Sequence, residues 1–183
     1  MRNLLCHSST ESFSSYGPLQ LSVFRVSSLF PISLTPRISW LTIRVEDPAN
    51  PGAPATWWFG GGTDLTPSYI FPEDAIHFHS TQKRALDHHS PAYYPRFKSW
   101  CDDYFRIKHR GNEMRGIGGI FFDDLGNENG RTQNEVFALA RTCGEAFIAA
   151  YEPIIRQRLG MLFGDREKRW QGIRRVRFTL CAH

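Results

Sequence analysis

Several features that would assign a chain quickly are scarce or missing in this 183-residue sequence. Its four cysteines, Cys6, Cys101, Cys143 and Cys181, make no CxxC pair and no short framework spacing, so reduced thiols are expected rather than disulfide staples or a zinc site. No apolar run reaches the roughly 18 residues needed to span a bilayer, so no transmembrane segment is expected. There is no internal repeat. Acids are nearly absent from the start: residues 1–45 hold one, Glu11, against four arginines and ten serines. That is the bias of an organellar transit peptide. The stretch "LQLSVFRVSSLFPISL" inside it is also apolar enough for a strand or two, so both readings stand, with plastid, mitochondrion and cytosol all open.

With 41% hydrophobic and 14% aromatic residues, the chain can bury one sizeable core, and a single globular domain over residues 46–183 is expected after a divergent Ser-rich segment at 1–45. The net charge of +4 invites a nucleic-acid reading, yet a mild basic excess suits an anionic small molecule equally well, and no nucleic-acid partner is expected. "EDPANPGAPAT", with three prolines and a glycine, is a surface loop by composition.

Local signals place the elements that follow. Pro72, Glu73 and Asp74 open a helix over Asp74 to about His89, with proline in the first turn and acids at the positive end of the dipole. A second helix runs from Pro95 on the stripe Phe97, Trp100, Cys101, Tyr104 and Phe105 and is expected to stop near Gly111. "GIGGIFFDDL", Gly116–Leu125, reads as a buried strand. Thr132 and Glu135 form a capping box opening a third helix, whose stripe is Val136, Leu139, Ala140, Cys143, Phe147 and Ala150. Pro153 is expected to start a new helical segment.

Three groups of residues are candidates for chemistry. His77 and His79 diverge by roughly 200° on a helix, which argues against a local HxH metal site and puts His79 on the inner face beside Phe78 and Gln82. "KHRGNEMRG", Lys108–Gly116, is either a charged helix end with a turn or a place where Arg110 and Arg115 clamp carboxylates bidentately. In "WWFGGGTDLTPSY", the glycines Gly60, Gly61 and Gly62 lack the GKS ending of a phosphate loop and lead instead to an acceptor, Asp64. A tight turn with core aromatics and a close-approach loop for a flat, donor-bearing ligand covered by the indoles are both compatible with that pattern.

The runs "WWFGGGTDLTPSYIFPEDAIHFHSTQKRALD", "YYPRFKSWCDDYFRIKHRG" and "RGIGGIFFDDL" resemble, in order and almost without gaps, the oxygen-dependent coproporphyrinogen III oxidases, from about Pro48 to about Arg175. The resemblance implies an α+β fold in which helices flank both faces of a broad antiparallel sheet, here incomplete. It implies an enzyme of haem and chlorophyll synthesis that oxidatively decarboxylates coproporphyrinogen III to protoporphyrinogen IX. Dioxygen is the co-substrate, no cofactor is required, and the intact enzyme is a homodimer. It puts Asp64 on the pyrrole N–H groups as the catalytic carboxylate, beside Gly60, Gly61 and Gly62, with Arg110 and Arg115 on propionates. His79 and His109 fall on two histidines sometimes given as ligands of a divalent metal in bacterial members.

The departures are as specific. The family's upstream segment with a proton-donating histidine has no counterpart here, since no histidine lies between His7 and His77. After "WQGIRR" the chain reads "VRFTLCAH" where the family continues with a further strand and C-terminal portion. The loop Lys108–Gly116 is one residue longer than usual, with Met114 where an arginine is expected. An alternative to the oxidase reading is therefore a non-catalytic partial paralogue that binds a tetrapyrrole or pairs with a full-length subunit.

Overall fold

The computed structural model describes residues 56–126 and 130–179, together with the strand backbones at 7–9, 20–25 and 34–45; side chains are described for 57–126 and 130–174. The proline-rich stretch at 46–55 lies outside the described residues. In chain order the elements are β1 (His7–Ser9), β2 (Gln20–Arg25), β3 (Leu34–Val45), β4 (Thr56–Pro67), α1 (Pro72–Asp87) and α2 (Tyr93–Tyr104). They continue with β5 (Arg106–Ile107), a 3-10 turn (Lys108–Arg110), β6 (Glu113–Met114), β7 (Gly118–Leu125), α3 (Gln133–Arg158) and α4 (Asp165–Thr179). Strands β1-β2-β3-β4-β7 form one antiparallel sheet, and β5-β6 a small hairpin. The class is α+β with antiparallel sheets.

The triple glycine is neither a tight turn nor a loop: it lies inside β4, hydrogen-bonded between β3 and β7. Glycine weakens a strand unless something fills the space its side chain leaves. Here β7 fills it. A Cβ at Gly60 would come 2.6 Å from the Asp123 carboxylate, and one at Gly62 would come 3.1 Å from the Phe121 ring. Two β7 side chains thus lie down on the bare backbone.

Strand alternation divides β4 into two faces. Phe59, Thr63 and Leu65 are buried on one. On that face Phe59 joins Ile120, Phe122 and Leu125 of β7, Phe97 of α2, and Val136, Leu139, Ala140 and Cys143 of α3. Leu65 joins Phe78 of α1 and Phe147, Ala150, Tyr151 and Ile154 of α3. Thr63 donates to Gln82 Oε1 of α1 at 2.8 Å. Each large apolar side chain buried here contributes about 1.5–3 kcal/mol. α2 straddles the β7 edge: Phe97 packs on Phe122 on the core side, while Trp100 and Tyr104 meet Phe121, which pairs with Gly62 on the opposite face.

α1 and α3 begin where the local rules put them, α1 with Pro72 in its first turn and α3 with the Thr132–Glu135 capping box. Two expectations are corrected. α2 ends at Tyr104 rather than near Gly111, because residues 106–114 pair as a hairpin whose turn carries two successive positive-φ residues, Gly111 and Asn112. α3 also runs through Pro153 without a new start. Proline removes the N–H that would bond the carbonyl four residues back, Ala149. That carbonyl instead accepts from His77 Nε2 of α1 at 3.2 Å. His77, which diverges on α1 from the inward-facing His79, therefore supplies the donor that the helix lacks, and it ties α1 to α3 at the same point.

Candidate functional site

Asp64 follows Gly60 and Gly62 along the face of β4 opposite the core, while Gly61 shares the core face with Phe122. Only two of the three glycines thus share the face of the carboxylate. The two indoles do not wall it either. Trp57 packs against the core cluster, and Trp58 lies six residues up the strand, about 20 Å away at the usual rise. The aromatic surface near Asp64 comes from β7 and the end of α2: Phe121, Tyr104 and Phe105.

The partner of Asp64 is Arg115, 51 residues later, whose Nη2 donates to Asp64 Oδ2. Both side chains are buried, 6% and 7% exposed, so neither charge is screened by bulk water. The Arg115 guanidinium lies 3.6 Å from the centroid of the Phe105 ring, a cation–π contact that sets its plane. Phe105 meets Tyr104 edge-on, and Tyr104 stacks on Phe121 at 4.3 Å. A continuous path of contacts runs from Phe121 over Gly62, through Tyr104 and Phe105, to Arg115 and back to Asp64.

Beside this path is a cavity of about 470 Å³ lined by Tyr104, Phe105, Arg106, Ile107, Lys108, His109 and Arg115. It has an aromatic wall and a cationic rim, and Arg115 joins it to Asp64. An anionic ligand with a flat apolar body matches that lining. The backbone leading into the site is held from two sides: Ile117 N–H donates to Leu65 O at 3.0 Å, and Arg174 Nη2 of α4 donates to Arg115 O at 3.0 Å.

The structure brings some of the expected site residues together and separates others. Asp64 and Arg115 form the pair just described. Arg110 sits half-buried in the 3-10 turn, outside the cavity lining. His109 is exposed on the cavity rim, in that turn rather than at the end of α2. His79 is half-buried on α1, its Nε2–H donating to Ile117 O at 3.1 Å and its Nδ1 accepting from the Tyr94 hydroxyl at 2.9 Å. Burial, and then the charge of Lys98, hold its pKa below the usual histidine range. With both nitrogens engaged, His79 has no lone pair to give a metal, and no group of three or more potential ligands occurs among the described residues. The residues present do not fit a divalent metal at His79 and His109.

Asp123 lies over Gly60, and Asp124 is exposed at a positive φ of 54°. Cys101 is buried, and burial, with Asp64 nearby, pushes its thiol up to about 12; Cys143, also buried, is likewise raised to about 12. Neither is a nucleophile near neutrality. Cys6 and Cys181 lie outside the described residues. The sequence places Tyr104 and Phe105 only in a helix stripe and Phe121 only in a buried strand, because an aromatic side chain carries no local sign of the distant residue it will meet.

Comparison with known proteins bears on the same residues. A family model described as coproporphyrinogen III oxidase matches residues 16–181. The chain is 49% identical over 168 residues to a chloroplastic oxygen-dependent coproporphyrinogen-III oxidase of Glycine max, covering 89% of this chain and 43% of that protein. To the enzyme of the same name from Drosophila melanogaster it is 56% identical over 123 residues, covering 67% of this chain and 30% of the relative. To the mitochondrial one of Homo sapiens it is 52% identical over 123 residues, covering 67% and 26%. The chain therefore spans about two fifths or less of the length of these relatives. No helix among the described residues is long and apolar enough to cross a membrane. Strand β4, which carries Asp64, and the segment that carries Arg115 both fall within the family match, and the chain belongs to the coproporphyrinogen III oxidase family.

Proposed function

We propose that this chain serves the oxidative decarboxylation of coproporphyrinogen III to protoporphyrinogen IX, with dioxygen as oxidant, in porphyrin biosynthesis. The observation that carries the reading is the buried Asp64–Arg115 pair beside an aromatic-walled, cationic cavity of about 470 Å³. A porphyrinogen presents pyrrole N–H donors at its centre and carboxylates at its rim. Asp64 supplies acceptors for the first, and Arg115, with Lys108 on the cavity rim, supplies donors for the second.

For each propionate the bond to the carboxylate breaks, carbon dioxide leaves, and the neighbouring carbon gives up a hydride equivalent as the vinyl group forms. Two electrons, that hydrogen and one proton from solvent end on dioxygen as hydrogen peroxide. Asp64 offsets positive charge that develops on the pyrrole as it gives up electrons, a contribution of about 3–4 kcal/mol where such a group is preorganised. Gly60 and Gly62 serve the site indirectly, by letting Asp123 and Phe121 lie flat on the sheet, so that Phe121 forms an aromatic floor beside the carboxylate. Arg110 reaches a more distant propionate in this reading.

In the intact enzyme the sheet is broader and helices flank both of its faces, two subunits pair, and the cytoplasm or an organelle houses it. The relatives compared above are oxidases by name, so a remnant that only binds a tetrapyrrole is not favoured. The test is incubation of the purified chain with coproporphyrinogen III under air, following protoporphyrin fluorescence. Asp64→Ala is expected to abolish product formation while the far-ultraviolet circular dichroism stays that of the parent. Unchanged turnover in that variant would remove Asp64 from the mechanism.

A further inference from the structure

α1 carries two histidines two residues apart, and each donates to a backbone carbonyl of a different element: His77 to Ala149 of α3 and His79 to Ile117 ahead of β7. The second of these bonds bears on the site. A carbonyl can only accept, so Nε2 of His79 carries the proton; Nδ1 is then the acceptor, and the Tyr94 hydroxyl donates to it. Burial pushes the Tyr94 phenol up to about 12, which keeps it a donor across the neutral range. The tautomer of His79 is thereby set from both ends.

What His79 holds is the peptide between Arg115 and β7. Ile117 donates its N–H to Leu65 O, the residue after Asp64, and gives its carbonyl to His79. That clamp lies two residues from Arg115, whose guanidinium reaches back to Asp64. The groups facing His79 are Phe78 on its own helix, Tyr94, Lys98 and Asp102 of α2, and the Ile117 carbonyl. No metal is needed to orient the ring.

We propose that His79 is a positioning residue, a tautomer-locked strut that fixes the Arg115 segment against β4 so that guanidinium and carboxylate meet, and not a metal ligand. That such a meeting serves catalysis rests on the reading in the preceding subsection. The strut itself does not, and its test uses no turnover.

The experiment is long-range proton–nitrogen NMR of the imidazoles in the nitrogen-15-labelled chain, with and without one equivalent of zinc, joined to hydrogen–deuterium exchange of the segment 113–120. Expected are a His79 resonance pair of the Nε2–H form that zinc leaves in place, and exchange of that segment about 3- to 10-fold faster in His79→Ala, the range one hydrogen bond supports. His79→Gln, which keeps an N–H at similar reach, is expected to restore most of the protection. If His79→Ala does not fold, Tyr94→Phe replaces it and is expected to move the Nδ1 resonance while Nε2 stays protonated. A zinc-dependent shift of the His79 nitrogens, an Nδ1–H form, or exchange unchanged in His79→Ala would overturn the proposal. An inactive chain that passes these tests would instead count against the catalytic reading alone.

Discussion

Among the described residues two buried arginine–aspartate pairs are chemically alike and differently placed. Arg115 pairs with Asp64, and Arg158 pairs with Asp74; all four side chains are at least nine-tenths buried. Each guanidinium also lies over a phenylalanine, Arg115 at 3.6 Å from Phe105 and Arg158 at 3.7 Å from Phe71. Arg158 sits near the C-terminal end of α3 and reaches both acids at the start of α1, bonding Asp74 twice, at 3.0 and 2.8 Å, and Glu73 at 2.6 Å. Its cation faces the acids of one helix start and sits in the last turn of another, as the dipoles of both favour. Arg115 reaches across from a short loop to a strand and borders an open cavity. The pair chemistry does not separate a strut from a site; what does is whether a ligand has room beside it.

That contrast sets the largest expected effect. Arg158→Met keeps the apolar stem but leaves Asp74 buried without its cation, a loss of about 3–5 kcal/mol. The chemical-denaturation midpoint should fall accordingly, while turnover per folded molecule holds. A stability unchanged within about 0.5 kcal/mol would show that the Arg158 cluster is no strut, since only surface substitutions are that mild.

Arg115→Met is the counterpart. It should reduce product formation on the order of 10²-fold, as removal of a charge-stabilising donor does, and the measurement is the same fluorescence assay. If instead both variants lose stability and neither changes turnover per folded molecule, the two pairs are equivalent and the cavity has no part in the chemistry.

The helices were legible in the sequence because their signals are local: Pro72, Glu73 and Asp74 within one turn, and Thr132 with Glu135 three residues on. Phe97 and Cys101 were readable as core for the same reason, since 3.6-residue periodicity needs no knowledge of the partner. The triple glycine was not legible as strand, because glycine's local preference is for turns, and the Phe121 and Asp123 side chains that fill its place come from about 60 residues away. Asp64 and Arg115 could each be named as candidates, but their pairing could not be read. The sequence separation hides it, and both residues were assigned to different parts of a ligand rather than to each other. Pro153 failed for a related reason: the donor that lets α3 continue belongs to another helix.

That last point gives the smallest and most diagnostic effect. In the parent, Ala149 O lacks its helical donor because residue 153 is proline, and His77 Nε2 takes its place. His77→Ala should therefore cost about 1 kcal/mol, the usual net worth of one such bond. Pro153→Ala returns the N–H to α3, so His77 then competes for a carbonyl already satisfied. In that background the same His77→Ala change should cost only a few tenths of a kcal/mol, and the double-mutant cycle should show a coupling of about 0.5–1 kcal/mol. Equal costs in the two backgrounds, measured by urea denaturation, would mean that His77 merely touches α3. The proline would then be tolerated by bending of the helix alone.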